Sequence, residues 1–80
     1  MKTVHVQYFA LLREQRGIPR EEVATTATTP AELYAELKAR HGFTLDAGQL
    51  RVAVGGEFAP WTLPLTAGAD IVFIPPVAGG

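Results

Sequence analysis

The chain has 80 residues, seven Lys/Arg against eight Asp/Glu for a net charge of −1, and no cysteine. A domain of this size buries about 60–65% of its unfolded surface, which leaves little room for an enclosed catalytic cavity. Without thiols there is no disulfide scaffold, Cys-based zinc site or thiol nucleophile, and without a basic stripe there is no electrostatic footprint for nucleic acid.

Hydrophobic residues at 48% and charged residues at 19% fit a folded globule. The first element is a half-buried strand over Thr3–Phe9. Val4, Val6 and Tyr8 share one face, and His5, Gln7 and Phe9 the other. Phe9 to Glu14 reads as a short helical turn or connection, closed by Gly17 and Pro19. Glu21 to Thr26 is a weak second strand anchored by Val23. The helix signal follows: Thr29 at the N-cap, Pro30 at the first helical position and Glu32 at the third, in capping-box spacing. Leu33, Tyr34, Leu37 and His41 fall on one face, Glu36 and Arg40 are spaced to pair, and Gly42 is a stop.

Leu50, Val52 and Val54 alternate with Arg51 and Ala53 in a third strand that turns at Gly55-Gly56. Glu57 to Leu65 is irregular, with room for a short edge strand, and Gly68 and Asp70 mark another turn. Ile71-Val72-Phe73-Ile74 is continuously apolar, as expected of a mid-sheet strand covered on both faces, and Pro75-Pro76 ends it. The order predicts an α+β domain: a mixed sheet of four to five strands with one main helix packed on one face. A β-grasp, ubiquitin-like arrangement fits this order; a ferredoxin-like sheet would need a second full helix. The expected division is a globular domain over 1–76 and a flexible Gly-Gly tail over 77–80.

Little in the globule suggests chemistry. His5 and His41 lie on separate elements with no ligands spaced to join them, so no metal site is expected. His5 reads as a surface strand residue, and His41 as a helix C-terminal residue favoured by the dipole. There is no serine for a hydrolase triad, and Gly55-Gly56 is not followed by a phosphate-binding helix. No run reaches the about 20 apolar residues of a membrane span, and the N-terminus has no signal-peptide core, so a soluble cytoplasmic protein is expected.

The C-terminal run is different. From Ile71 to Gly80 the chain carries no charged residue. Pro75 and Pro76 stiffen the root, and Val77, Ala78, Gly79 and Gly80 reach about 13 Å when extended. Such a tail suits entry into a neighbouring protein's active site, and glycines without Cβ atoms suit a narrow channel. A terminal carboxylate, with a pKa of about 3.3–3.7, is ionised and a poor electrophile at neutral pH. Activation, for example as an acyl-adenylate, and replacement of the adenylate by sulfide would give a thiocarboxylate. Sulfur would then be carried without any cysteine.

Phe9-Ala10-x-x-Arg13-Glu14 with Gly17, Pro64-Leu65 before Gly68 and Asp70, and Pro75-Pro76-Val77-Ala78-Gly79-Gly80 together resemble the molybdopterin synthase small-subunit family, within the ubiquitin-like sulfur carriers. The resemblance covers essentially the whole chain. It implies a β-grasp fold and a non-catalytic sulfur-donor subunit in molybdenum cofactor biosynthesis. An adenylating enzyme would use ATP on Gly80, a sulfurtransferase would supply sulfur, and no cofactor would be bound permanently. The thiocarboxylate would serve a cyclic pterin precursor inside a large subunit, in an assembly of two small and two large subunits. No nucleic-acid or membrane partner is implied.

The family's docking positions fall on Phe9, Phe58 and Ile74. Phe9 shares the parity of His5 and Gln7, so it is expected on the sheet face away from the helix, against a placement under the following loop. Trp61 and Tyr34 are expected to be structural. Ile74 stands where the family often has an aromatic residue, and Gly55-Gly56 where it favours asparagine and polar residues. Alternative readings are a carrier for thiamine, cysteine or tRNA thiolation, a protein modifier that joins Gly80 to lysines, and an interaction module without covalent chemistry.

Overall fold

A computed structural model of the chain describes residues 1–76. The alternating N-terminal segment forms β1 (Lys2–Tyr8), followed by α1 (Ala10–Arg16), β2 (Arg20–Thr25) and α2 (Pro30–His41). A single 3-10 turn at Ala47–Gln49 leads into β3 (Arg51–Val54), β4 (Glu57–Ala59) and β5 (Asp70–Ile74). The five strands make one sheet in the order β2-β1-β5-β3-β4. β1 and β5 run parallel, and every other pairing is antiparallel. This is the expected β-grasp arrangement, with β4 as the short edge strand.

Local sequence explains where α2 begins and ends. The Thr29 hydroxyl accepts from the Glu32 amide at 3.2 Å, and Pro30 fills the first turn, where no amide donor is needed. The Glu32 carboxylate reaches one residue further back than the expected box, accepting from the Thr28 amide at 2.8 Å and the Thr28 hydroxyl at 3.0 Å. At the other end, Gly42 adopts φ 72° and its amide donates to the Lys38 carbonyl at 2.9 Å. Glu36 and Arg40 pair at 3.3 Å as their spacing suggests. Between β3 and β4, Gly55 and Gly56 hold φ values of 63° and 87°. Positive φ at both central residues is what a tight two-residue hairpin demands.

One face of the sheet carries the core. Val4, Val6 and Tyr8 of β1, Val52 of β3 and Ile71 and Phe73 of β5 pack against Leu33, Tyr34 and Leu37 of α2 and Leu12 of α1. Phe73 is fully buried, 5.1 Å from the Tyr34 ring and stacked on Trp61 at 6.0 Å. The Tyr34 hydroxyl donates to the Leu45 carbonyl at 2.7 Å, so its polar end is satisfied inside the core. Trp61 and Tyr34 are thus packing residues, as the sequence suggested.

Three expectations need correction. The connection after Phe9 is a two-turn helix, α1, which buries only Leu12; one anchoring residue is too weak a periodicity to read. β5 lies mid-sheet, but it is covered on one face, since Val72 and Ile74 remain half-buried on the other. Its unbroken apolar run therefore does not mean two covered faces. His41, expected as a helix C-terminal residue favoured by the dipole, does end α2, but its ring is packed 5.7 Å from Phe43. Burial first, and the Arg16 charge next, push its pKa below the usual imidazole value.

His41 belongs to a cluster that ties four elements together. Arg16 donates twice to Glu21, through Nε at 2.9 Å and through Nη2 at 2.8 Å. The Tyr8 hydroxyl donates to Glu21 Oε2 at 2.6 Å, and the buried His41 Nε2 lies 3.7 Å from that oxygen. The Arg16 hydrogen bonds hold the Glu21 carboxyl below the usual carboxylate range, against its partial burial. Burial and the Glu21 contact push the Tyr8 phenol well up.

These directions set the acid response. In the unfolded chain His41 takes a proton near pH ~6.5 and Glu21 near ~4.3, and in the folded chain both take it at lower pH. Proton uptake by the unfolded state therefore lowers stability as pH falls, through His41 first and Glu21 afterwards, until each folded pKa is passed. Urea unfolding followed from about pH 7 to about pH 3 should show this decline. Glu21→Gln should remove the lower part of the slope and cost about 1–3 kcal/mol at neutral pH. A wild-type profile flat across the range would contradict the network.

Candidate functional site

The sheet face opposite the helices is built by strand register. Across one row, Arg20 of β2 pairs with Gln7 of β1, Gln7 with Val72 of β5, Val72 with Ala53 of β3, and Ala53 with Phe58 of β4. In the next row toward the C-terminal end of β5, Ile74 pairs with Arg51. Tyr8 pairs with Phe73, so continuing that ladder by one residue brings Phe9 level with Ile74. Two rows further back, His5 pairs with both Glu22 and Asp70.

Phe9 and Phe58 are 42% and 68% exposed, far above any aromatic residue of the core. Phe9 therefore lies on the open face and not under the following loop. Its position is held at a cost: Ala10 adopts φ 51°, a left-handed conformation worth about 1 kcal/mol of strain in a non-glycine residue. That turn ends β1 and starts α1, whose Leu12 and Arg13 amides donate to the Phe9 carbonyl. Ile74 is half-buried beside Phe9, one strand spacing or about 5 Å away. Phe58 lies two strand spacings from β5, about 10 Å, with Ala53 and Arg51 between. The Arg51 guanidinium carbon sits 5.7 Å from the centre of the Phe58 ring.

The three expected docking residues thus share one face, and Val72 and Ala53 join them. Sequence reasoning passed over Val72 because β5 was read as covered on both sides. The signal for Ala53 was present, since it alternates with the core residues Val52 and Val54. Of the expected tail residues, Pro75 is half-buried just beyond the last β5 pairing and Pro76 is exposed. Val77, Ala78, Gly79 and Gly80 lie outside the described residues. The tail root is therefore the end of a strand hydrogen-bonded on both sides, opening beside an exposed apolar patch.

Among the described residues, no group of three His, Asp or Glu side chains is placed to hold a metal ion. His5 is exposed on the open face, 3.8 Å from Glu22, and His41 is in the cluster behind the sheet. No helix among the described residues is long and apolar enough to cross a membrane.

Comparison with known proteins gives consistent relatives. The ThiS family model matches residues 6–80. The molybdopterin synthase sulfur carrier subunit of Escherichia coli is 35% identical over 80 residues, covering 96% of this chain and 99% of that protein. A putative molybdopterin converting factor subunit 1 from Pyrococcus furiosus superposes with a TM-score of 0.81 at 29% identity, over 96% of this chain and all of the other. A complex of subunits 1 and 2 of molybdopterin-converting factor from Helicobacter pylori matches with a TM-score of 0.67 at 25% identity, over 98% of this chain and 99% of the matched one. The chain belongs to the ThiS family and is a homologue of the molybdopterin synthase sulfur carrier subunit.

Proposed function

We propose that this chain is the sulfur-carrier subunit of a molybdopterin synthase, with the Gly80 carboxyl as the carrying group. The observation that carries this reading is the charge-free run from Ile71 in the central strand β5 through Pro75-Pro76 to Gly79-Gly80. In the first step the Gly80 carboxylate attacks the α-phosphorus of ATP on an activating enzyme, pyrophosphate leaves, and an acyl-adenylate forms. Sulfide delivered by a sulfurtransferase then displaces AMP and leaves a thiocarboxylate. The large subunit receives the tail and passes the sulfur to a cyclic pterin precursor. No cofactor stays on this chain, whose part is to present the carboxyl and dock.

The globule suits that division of labour. A tail joined to a strand paired on both sides is anchored firmly, so docking fixes where Val77 begins. From there about 13 Å of extended chain brings Gly80 into a neighbour's active site. The apolar patch of Phe9, Val72, Ile74 and Phe58 beside the tail root is the docking surface in this reading. The Helicobacter pylori complex of subunits 1 and 2 supports a large-subunit partner. Cytoplasmic location and an assembly of two small and two large subunits belong to the same proposal.

Intact mass spectrometry after incubation with ATP, the activating enzyme and a sulfur source should show one oxygen replaced by sulfur at Gly80. An unchanged mass, under conditions that convert a known carrier, would count against the reading. A conjugate with lysine in place of the thiocarboxylate would favour the modifier alternative. Gly79→Ala should retain the wild-type melting temperature yet lose most adenylation or sulfur transfer, since a displacement of about 1 Å at the reacting atom costs about a hundredfold. Deleting Gly80 would stop the carboxyl about 3.5 Å short and should abolish both steps. Phe9→Lys should leave the fold intact and weaken large-subunit binding by more than about 1 kcal/mol in calorimetry. Unchanged affinity would remove Phe9 from the interface.

A further inference from the structure

The charges on the open sheet face are sorted by position. Toward the tail root stand two arginines, Arg20 beside Gln7 and Arg51 beside Ile74. Both are exposed, and among the described residues neither makes an ion pair or a side-chain hydrogen bond. At the far end, Glu22 and Asp70 flank His5. Arg13 of α1 is also exposed and without an ion pair among the described residues, but it lies off the sheet; Arg16 is committed to Glu21, Lys38 to Asp46 and Arg40 to Glu36.

The two arginines of the open face straddle the apolar strip. Arg20 is on β2 and Arg51 on β3, with β1 and β5 between them. Three strand spacings put their backbones about 14 Å apart across the face. The Arg51 guanidinium lies over the Phe58 ring, 5.7 Å from its centre, and its N–H groups stay available for a bidentate carboxylate. An arginine that must be covered with the patch around it, and that has no partner of its own, needs a carboxylate from the covering surface.

Resting on the docking reading above, we propose that the surface receiving this face is apolar at its centre and carries carboxylates opposite Arg20 and Arg51. Glu22 and Asp70 at the far end oppose the reversed orientation, in which those carboxylates would meet like charge. The polarity therefore steers the encounter and sets which end of the sheet faces the tail channel. Phe9, Ile74 and Phe58 supply adhesion without direction; the arginines supply direction.

The test uses the large synthase subunit as probe, with association and dissociation rates measured at low and high salt. Arg20→Glu with Arg51→Glu should slow association about tenfold or more at low salt, and the deficit should shrink at high salt. Dissociation should change less, and melting temperature should stay at the wild-type value because both side chains are exposed and unpaired. Arg20→Lys with Arg51→Lys should retain most of the steering. If the double reversal associates at the wild-type rate with the same salt dependence while Phe9→Lys abolishes binding, the charge assignment is overturned and the docking reading stands. If the wild-type chain does not bind the large subunit at all, both fall together. A homodimer in sedimentation that the double reversal dissolves would overturn the assignment in favour of a second copy of this chain.

Discussion

The structure depends on the double pairing of β5. That strand is hydrogen-bonded to β1 on one side and β3 on the other, and its Ile71 and Phe73 side chains sit at the centre of the core. Phe73 brings Tyr34 of the helix and Trp61 of the last loop onto the same spot. Burying a phenylalanine this completely contributes about 1.5–3 kcal/mol, a large share of what an 80-residue domain can muster. The strand that organises the fold is also the one that runs into the C-terminal tail.

The same strand divides the sheet into two functions. On the core face, Val4, Val6 and Tyr8 of β1 join the cluster with α2 and are sealed from water. On the open face, no described helix or strand covers Val72, Ile74 or Phe58, and the strained turn at Ala10 accompanies the exposure of Phe9 beside them. A domain this small has no further helices to spare, so one face of its sheet stays open among the described residues.

Away from the open face, the Tyr8–Glu21–Arg16–His41 cluster closes the end of the domain where β1, α1, β2 and α2 converge. Its contribution is greatest near neutral pH, where Glu21 is ionised and His41 neutral. Two of its hydrogen bonds are charge-assisted and bidentate, which adds a fixed orientation of α1 against β2 to the anchoring by its single buried leucine.

The sequence by itself determined whatever is governed by neighbours a few residues away. The Thr29-Pro30 start and Gly42 stop of α2, the alternation of β1, the hairpin at Gly55-Gly56 and the uncharged C-terminal run are all of this kind. Those features carried the α+β reading, and the uncharged run is what the proposed role of Gly79-Gly80 rests on. Register was not legible, because hydrogen bonds between strands join residues tens of positions apart. Only the tertiary structure set Ile74 between Phe9 and Arg51, left the second face of β5 open, and gathered Arg16, Glu21 and His41 around Tyr8. His41 was misjudged for the same reason. Its place at a helix end is a local fact that favours a charge, while the burial and the Arg16 charge that oppose it are brought there by the fold.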